Sequence, residues 1–139
     1  MPHYEVTRVI DAPPEVIWPI LSDADRLSDG SFSILKIEGR IEAGQTIRLW
    51  SEADPKRAFA IKVARLGPPE MVWQSGMPLG LFTGRRRFSV VPEDGGSRFT
   101  MREDYTGPLA GMMFKMIPDL QPSFDTFARG LARAAEGRA

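Results

Sequence analysis

GPLAGMMFKMIPDLQPSFDTFARGLARAAE, residues 107–136, decides how the rest of the chain must be arranged. Its second half has helical periodicity. Phe124, Phe127, Ala128, Leu131 and Ala135 recur at spacings of three and four and form one apolar stripe. Asp125, Arg129, Arg133 and Glu136 fall on the opposite face, with Asp125 one turn before Arg129. The first half has a different pattern. Met112, Met113, Phe114, Met116 and Ile117 leave almost no polar face, which predicts a segment covered nearly all round. Pro118 cannot continue a helical hydrogen-bond ladder, so a break is expected there. Asp119 suits the cap of a restart, with Pro122 tolerated in the new first turn.

Upstream of this helix the sequence reads mainly as strands. From Phe32 onward apolar runs alternate with turn chemistry: 34–38, 46–50, 58–66, 71–75, 81–91 and 98–106. Six strands in sequential hairpins predict an antiparallel meander. Tyr4 to Ile10 is a further short strand. Asp11-Ala12-Pro13-Pro14 stops it, and Pro14 with Glu15 opens a short helix. Val16, Ile17, Ile20 and Leu21 give that helix its apolar side, with Trp18 beside them, and Pro19 keeps it short or bent. Residues 22–30 are polar around Leu27 and read as a second short helix or a loop.

Asp94-Gly95 is a two-residue type I′ turn signal, and it sets a register. Across that turn Val90 opposes Phe99, Phe88 opposes Met101, Arg86 opposes Glu103 and Gly84 opposes Tyr105. The period of two places all of them on one face. Phe82, Phe88, Val90, Phe99 and Met101 make that face apolar, while Arg85, Arg87, Arg98, Arg102 and Asp104 lie on the wet side. An Arg86–Glu103 pair is therefore expected under or beside the C-terminal helix. Elsewhere the alternation points Phe59, Ile61, Val63, Met71 and Trp73 inward. Leu35, Ile37, Ile47 and Leu49 are the inward choices on the early strands, which leaves Trp50 facing out.

Composition narrows the chemistry. The 139 residues fit one domain with its own core, 1–139, without repeat or linker. Eighteen basic and eighteen acidic residues cancel, which argues against nucleic acid or an anionic membrane as the main partner. The absence of cysteine removes disulfides, thiolate nucleophiles and thiolate metal sites. The single histidine, His3, reads as an exposed terminal residue, so a histidine metal site or a triad is not expected. No apolar run approaches the roughly 20 residues of a membrane span, and residues 1–5 do not open a signal peptide. The expectation is a cytoplasmic protein without stable membrane insertion, a monomer or weak homodimer, with no cofactor.

The segment from Ile10 to Asp23 resembles the opening of the START-like superfamily, also called SRPBCC. That superfamily includes the birch-pollen-allergen-like proteins and those described as polyketide cyclase/dehydrase and lipid transport. Ala12, Pro13, Ile17, Trp18, Leu21 and Asp23 match its usual alanine, prolines, valine-tryptophan pair, leucine and aspartate. Val72-Trp73, the run from Gly76 to Gly84 and the run from Gly95 to Glu103 resemble a small bacterial branch of it. The resemblance implies an α+β helix-grip fold: a curved antiparallel sheet of about seven strands wrapped around a long C-terminal helix, two short helices after the first strand, and an internal cavity. Pro118 and Pro122 depart from that pattern and should bend the grip helix. The superfamily hosts carriers, enzymes and interaction modules, so function must be argued from the site.

Arg86 and Glu103 are the sharpest candidates. A carboxylate among apolar side chains suits proton transfer unless a cation is close, and Arg86 is that cation, which suits a polar anchor better than a base. The plainer alternative is a structural pair that locks the last hairpin. Tyr105 and Trp73 add polar tips to the aromatic set Phe59, Phe82, Phe88 and Phe99. Met112, Met113 and Met116, with Met101 and Met71, either line an adaptable pocket or fill core. The loop from Gly76 to Phe82 is either a gate or a tight connection. Within the triplet 85–87 the strand period sends neighbouring arginines to opposite faces, so it is not a nucleic-acid patch.

The expected function is non-covalent binding of a small hydrophobic molecule, a lipid or polyketide-like compound. Phe59, Trp73, Phe88, Met101, Tyr105, Met112, Met113 and Met116 are the expected walls, and Arg86 and Glu103 the polar contacts. Two alternatives stay open. One is a cyclase or dehydratase in which Glu103 or Tyr105 moves a proton. The other is an interaction module that docks through Trp50 or the 77–82 loop.

Overall fold

A computed structural model describes residues 2–67 and 69–137. The element order is β1 (His3–Ile10), α1 (Pro14–Leu21), α2 (Ala24–Leu27), β2 (Ile34–Glu38), β3 (Thr46–Ser51), β4 (Asp54–Gly67), β5 (Glu70–Gly76), β6 (Thr83–Glu93), β7 (Gly96–Thr106), α3 (Ala110–Met116) and α4 (Gln121–Ala135). A single 3-10 turn, Pro78–Gly80, joins β5 to β6. Pro68, part of the expected turn after β4, lies outside the described residues.

The seven strands form one antiparallel sheet in the order β1-β7-β6-β5-β4-β3-β2. The six-strand meander is as the turn chemistry predicts, and β1 closes on β7 along its whole length. Bulges between Ile34 and Lys36, Trp50 and Ser51, and Val63 and Arg65 interrupt the ladders on one half of the sheet. Such irregularities add local twist and bend. The result is a curled sheet. Phe32, at the β2 end, lies 5.2 Å from Phe127, and Phe99 on β7 lies 6.1 Å from the same ring. Both sides of the sheet thus close on one helix, α4, which is the helix-grip arrangement.

Phe124, Phe127, Ala128 and Leu131 of α4 are buried, as the stripe requires. Gly130 and Ala132 are buried as well, and at Gly130 the chain before β2 crosses the helix. A Cβ on Gly130 would run into the Ser31 backbone carbonyl. Pro118 does divide the C-terminal segment, and Asp119 Oδ1 accepts from the Gln121 backbone N–H at 3.1 Å where α4 restarts. On the outer face of α4, Asp125 accepts from Gln121 rather than pairing with Arg129.

Four expectations are corrected, three of burial and one of a strand boundary. Leu35 is 48% exposed, because the Ile34/Lys36 bulge makes Ile34 the inward residue and turns Leu35 out. Val16 is 40% exposed on the outer side of α1. α3 is not covered all round: Met112 and Met116 are both exposed. β4 begins at Asp54 rather than near Ala58, since a tight Glu52-Ala53 turn lets its polar start pair with β3. Outward-facing Trp50 is only half-buried, with Lys36 Nζ and Arg48 Cζ at 5.1 and 5.4 Å from its ring.

Candidate functional site

The hairpin β6–β7 supplies the polar centre. Asp94 and Gly95 take φ values of 48° and 83°, the left-handed pair that a type I′ turn requires. The turn fixes the register, and Arg86 stands opposite Glu103 as the sequence predicts. Arg86 Nη2 donates to Glu103 Oε1 at 3.1 Å. The Tyr105 hydroxyl donates to the same oxygen at 2.6 Å. Glu103 and Tyr105 are buried, while about a fifth of the Arg86 side chain reaches solvent. The guanidinium lies over the Phe124 ring, 4.7 Å from its centroid, so α4 covers the pair from above.

An aromatic group holds this centre in place. The Tyr105 ring stacks on Phe82 at 5.7 Å and meets Tyr4 edge-on at 6.1 Å and Phe114 at 5.5 Å. Burial, and then the adjacent Glu103 charge, push the Tyr105 hydroxyl well above its ordinary value of 10.0, so it keeps its proton and acts as a donor. On the other side, Trp73 of β5 is the ladder partner of Arg86. Trp73 Nε1 and Arg86 Nε are both buried without a hydrogen-bond partner.

Between the sheet and the α3–α4 segment lies a pocket of about 460 Å³. Arg86, Glu103 and Tyr105 line it, together with Phe59, Trp73, Met101, Met113 and Met116. Two expected wall residues do not. Phe88 is fully buried between Trp73, at 4.7 Å, and Phe127, at 5.8 Å. There α4 packs directly on the sheet and leaves no space. Met112 is 54% exposed on the outer side of α3, while Met113 and Met116, three residues apart, face the pocket and its rim.

Sequence reasoning missed the helix side of the pocket. Phe124 and Phe127 belong to it, and so do Ser33 and Ser123, whose hydroxyls hydrogen-bond at 3.0 Å. The apolar stripe of α4 was legible, but the part of it that parts from the sheet was not. Ser33 is buried with φ of 64°, a conformation that serine rarely takes. Nothing in its sequence context announces it.

The Gly76–Phe82 loop forms one side of the mouth. It is a pinned connection: Met77 N donates to Phe82 O at 2.7 Å, and Leu109 N donates to Leu81 O at 3.0 Å. A Cβ at Gly76 would collide with the Phe82 carbonyl, which explains the glycine there. The tip residue Leu79 is 97% exposed with φ of 63°. Met77 and Met116, both exposed, line the pocket and give its mouth an apolar rim, while Leu79 and Leu81 are exposed on the same loop. Among the described residues no group of three or more His, Cys, Asp or Glu side chains is placed to hold a metal ion. Among them, too, no helix is long and apolar enough to cross a membrane.

Comparison with known proteins agrees with this architecture. A Mesorhizobium loti protein superposes with a TM-score of 0.75 over 99% of each chain, at 14% identity. The Aha1 dimer from Colwellia psychrerythraea gives 0.73 at 20% identity, over 98% of this chain and 97% of that one. The ZhuI aromatase/cyclase from Streptomyces sp. R1128 gives 0.70 at 16% identity, over 97% and 93%. At such identities the likeness shows the fold. No curated protein matches the sequence. The family model described as polyketide cyclase / dehydrase and lipid transport matches residues 1–136, and the chain belongs to that family.

Proposed function

We propose that this protein binds one small hydrophobic molecule non-covalently, as a carrier, store or sensor of a lipid or polyketide-like compound. The observation that carries the reading is the Arg86–Glu103–Tyr105 cluster, with Glu103 and Tyr105 buried, in a pocket whose remaining wall is mostly aromatic and aliphatic, with Asp54, Arg57 and four serines also on its lining. A volume of about 460 Å³ lies within the usual range for small-molecule sites, roughly 300–1,000 Å³. Aromatic and methionine side chains supply adaptable apolar walls. Arg86, Glu103 and Tyr105 supply orientation.

The cyclase reading asks Glu103 or Tyr105 to move a proton. Its support is the family and the aromatase/cyclase among the structural neighbours. The geometry favours an anchor instead. The Tyr105 proton is committed to Glu103, and the same carboxylate oxygen is held by Arg86. The interaction-module reading draws on the exposed loop tip Leu79, not on Trp50, which lies under two cations.

A fluorescence titration with the neutral dye N-phenyl-1-naphthylamine tests the proposal. Saturable binding of one dye per chain is expected. Met113→Trp, which fills the pocket, should weaken it about tenfold or more, a change of ~1.4 kcal/mol. Met112→Trp, on the outer side of α3, should leave it unchanged. Equal effects of the two substitutions, or no saturable binding, would overturn the reading.

A further inference from the structure

The polar centre has hydrogen-bonding capacity that the protein leaves unused, and this capacity has a sign pattern. Both bonds to Glu103 converge on Oε1, so Oε2 accepts none from the described residues. Arg86 donates a single side-chain hydrogen bond among them, through Nη2. Its Nε–H is buried without a partner, as is Nε1–H of Trp73 on the neighbouring strand. Buried donors without acceptors are rare because each costs its full desolvation. Glu103 Oε2 is therefore an open acceptor beside a guanidinium with terminal N–H groups to spare, both on residues that line the pocket.

Gly84 provides a second, independent observation. It is the second residue of β6, paired to strands on both sides and without a positive φ, so the backbone does not require glycine there. Glycine weakens a strand interior and often marks close approach of a ligand or another chain segment. A Cβ at position 84 would lie 3.4 Å from Glu103 Oε2 and 3.3 Å from the Tyr105 ring. The missing side chain keeps space next to the unused carboxylate oxygen.

Charge selects among the molecules that would fit. Arg86 and Glu103 cancel, and so do Asp54 and Arg57, the other charged residues on the lining, so the pocket carries no net charge for an ionic group to neutralise. A carboxylate or phosphate seated on Arg86 would face Glu103, and an ammonium seated on Glu103 would face Arg86. Either repulsion acts beside the buried Glu103 carboxylate, where solvent screens less than at the surface.

We propose that the pocket selects a neutral polar end that presents a hydrogen-bond donor and an acceptor side by side, as a carboxamide or a hydroxyl beside a carbonyl does. The donor goes to Glu103 Oε2 and the acceptor to the terminal Nη N–H groups of Arg86 that Glu103 does not use. This inference rests on the binding reading above and adds the chemistry of the ligand's head. Fatty acids, phospholipid headgroups and amines are then poor ligands, despite apolar tails that suit the walls.

Displacement of bound N-phenyl-1-naphthylamine by three molecules with one shared body tests it: 2-naphthamide, 2-naphthoate and 2-naphthylmethylamine. The amide is expected to bind at least about tenfold more tightly than either ion at neutral pH, the worth of one hydrogen bond to a charged group. In Glu103→Gln the order of amide and naphthoate should reverse, because Arg86 is left without its counter-charge. Gly84→Ala keeps both charges and should weaken the amide about tenfold while dye binding persists. It remains informative if Glu103→Gln does not fold. Equal displacement by all three, tightest binding by naphthoate, or no displacement of a dye that itself binds would overturn this inference and leave the binding reading standing. Failure of the dye to bind would overturn both.

Discussion

Removing one member of the Arg86–Glu103 pair should cost far more than removing both. Glu103→Leu leaves a guanidinium in the pocket wall with its single side-chain hydrogen bond gone. Stranding one partner of a buried pair costs about 3–5 kcal/mol. Two features place this variant at the lower end. The Arg86 side chain is 20% exposed, so water recovers part of its solvation. Its guanidinium also keeps the Phe124 ring at 4.7 Å, a contact worth about 1 kcal/mol. About 3 kcal/mol is therefore expected, equivalent to a fall in Tm of roughly 10 °C for a chain of this size. Arg86→Met should cost a similar amount, because the Tyr105 hydroxyl at 2.6 Å then serves the carboxylate alone. The double variant Arg86→Met/Glu103→Leu removes both desolvation costs and should lie within about 1 kcal/mol of the parent. Urea unfolding of the four proteins gives the coupling energy, with unchanged m-values confirming that the same surface is exposed. Single substitutions that cost little and add up in the double variant would mean the pair is solvated, and the buried polar centre would be refuted.

Three further outcomes follow from individual residues. Gly130→Ala in α4 should destabilise the protein by more than about 1 kcal/mol, reversing the usual helical preference for alanine, because the methyl meets the Ser31 carbonyl; thermal melts giving a stabilised variant would show that the α4 approach is looser. The raised Tyr105 pKa gives stability that is complete below pH 10 and is lost as pH rises beyond it, since the unfolded tyrosine ionises first. Tyr105→Phe should flatten that alkaline decline in urea midpoints measured from pH 8 to 11, and an unchanged slope would contradict the burial assignment. Leu79→Ser should leave Tm within about 1 °C, because the side chain is 97% exposed and buries nothing; a clear loss of Tm would mean that the loop tip is packed.

The fold was legible wherever a local rule fixed a global feature. Asp94-Gly95 determines a turn type, the turn determines a register, and the register places Arg86 against Glu103 seventeen residues away. Pro118 likewise marks the end of α3, because a proline has no N–H to give to the helical ladder. The errors share another origin. Leu35 was misplaced because one bulge inverts the alternation, and bulges leave no reliable trace in an apolar run. Phe88 faces the correct side of the sheet, but periodicity carries no information about where along a strand the helix lifts away. Met112 was drawn into the pocket because an apolar helix reads as covered, whereas α3 is short and sits at an open mouth. Ser33 and Ser123 meet across ninety residues, a pairing fixed by tertiary closure alone.

The central claim is that the space between sheet and α4 holds a small hydrophobic molecule beside Arg86. The indole N–H of Trp73 reports on it directly, since Trp73 lines the pocket while Trp50 lies on the outer face. A ¹H–¹⁵N correlation spectrum recorded during titration with 2-naphthamide resolves the three tryptophan indoles separately. The account predicts a saturating shift of the Trp73 signal with the Trp50 signal unmoved. Movement of Trp50 without Trp73, or no saturating shift in either, would contradict it.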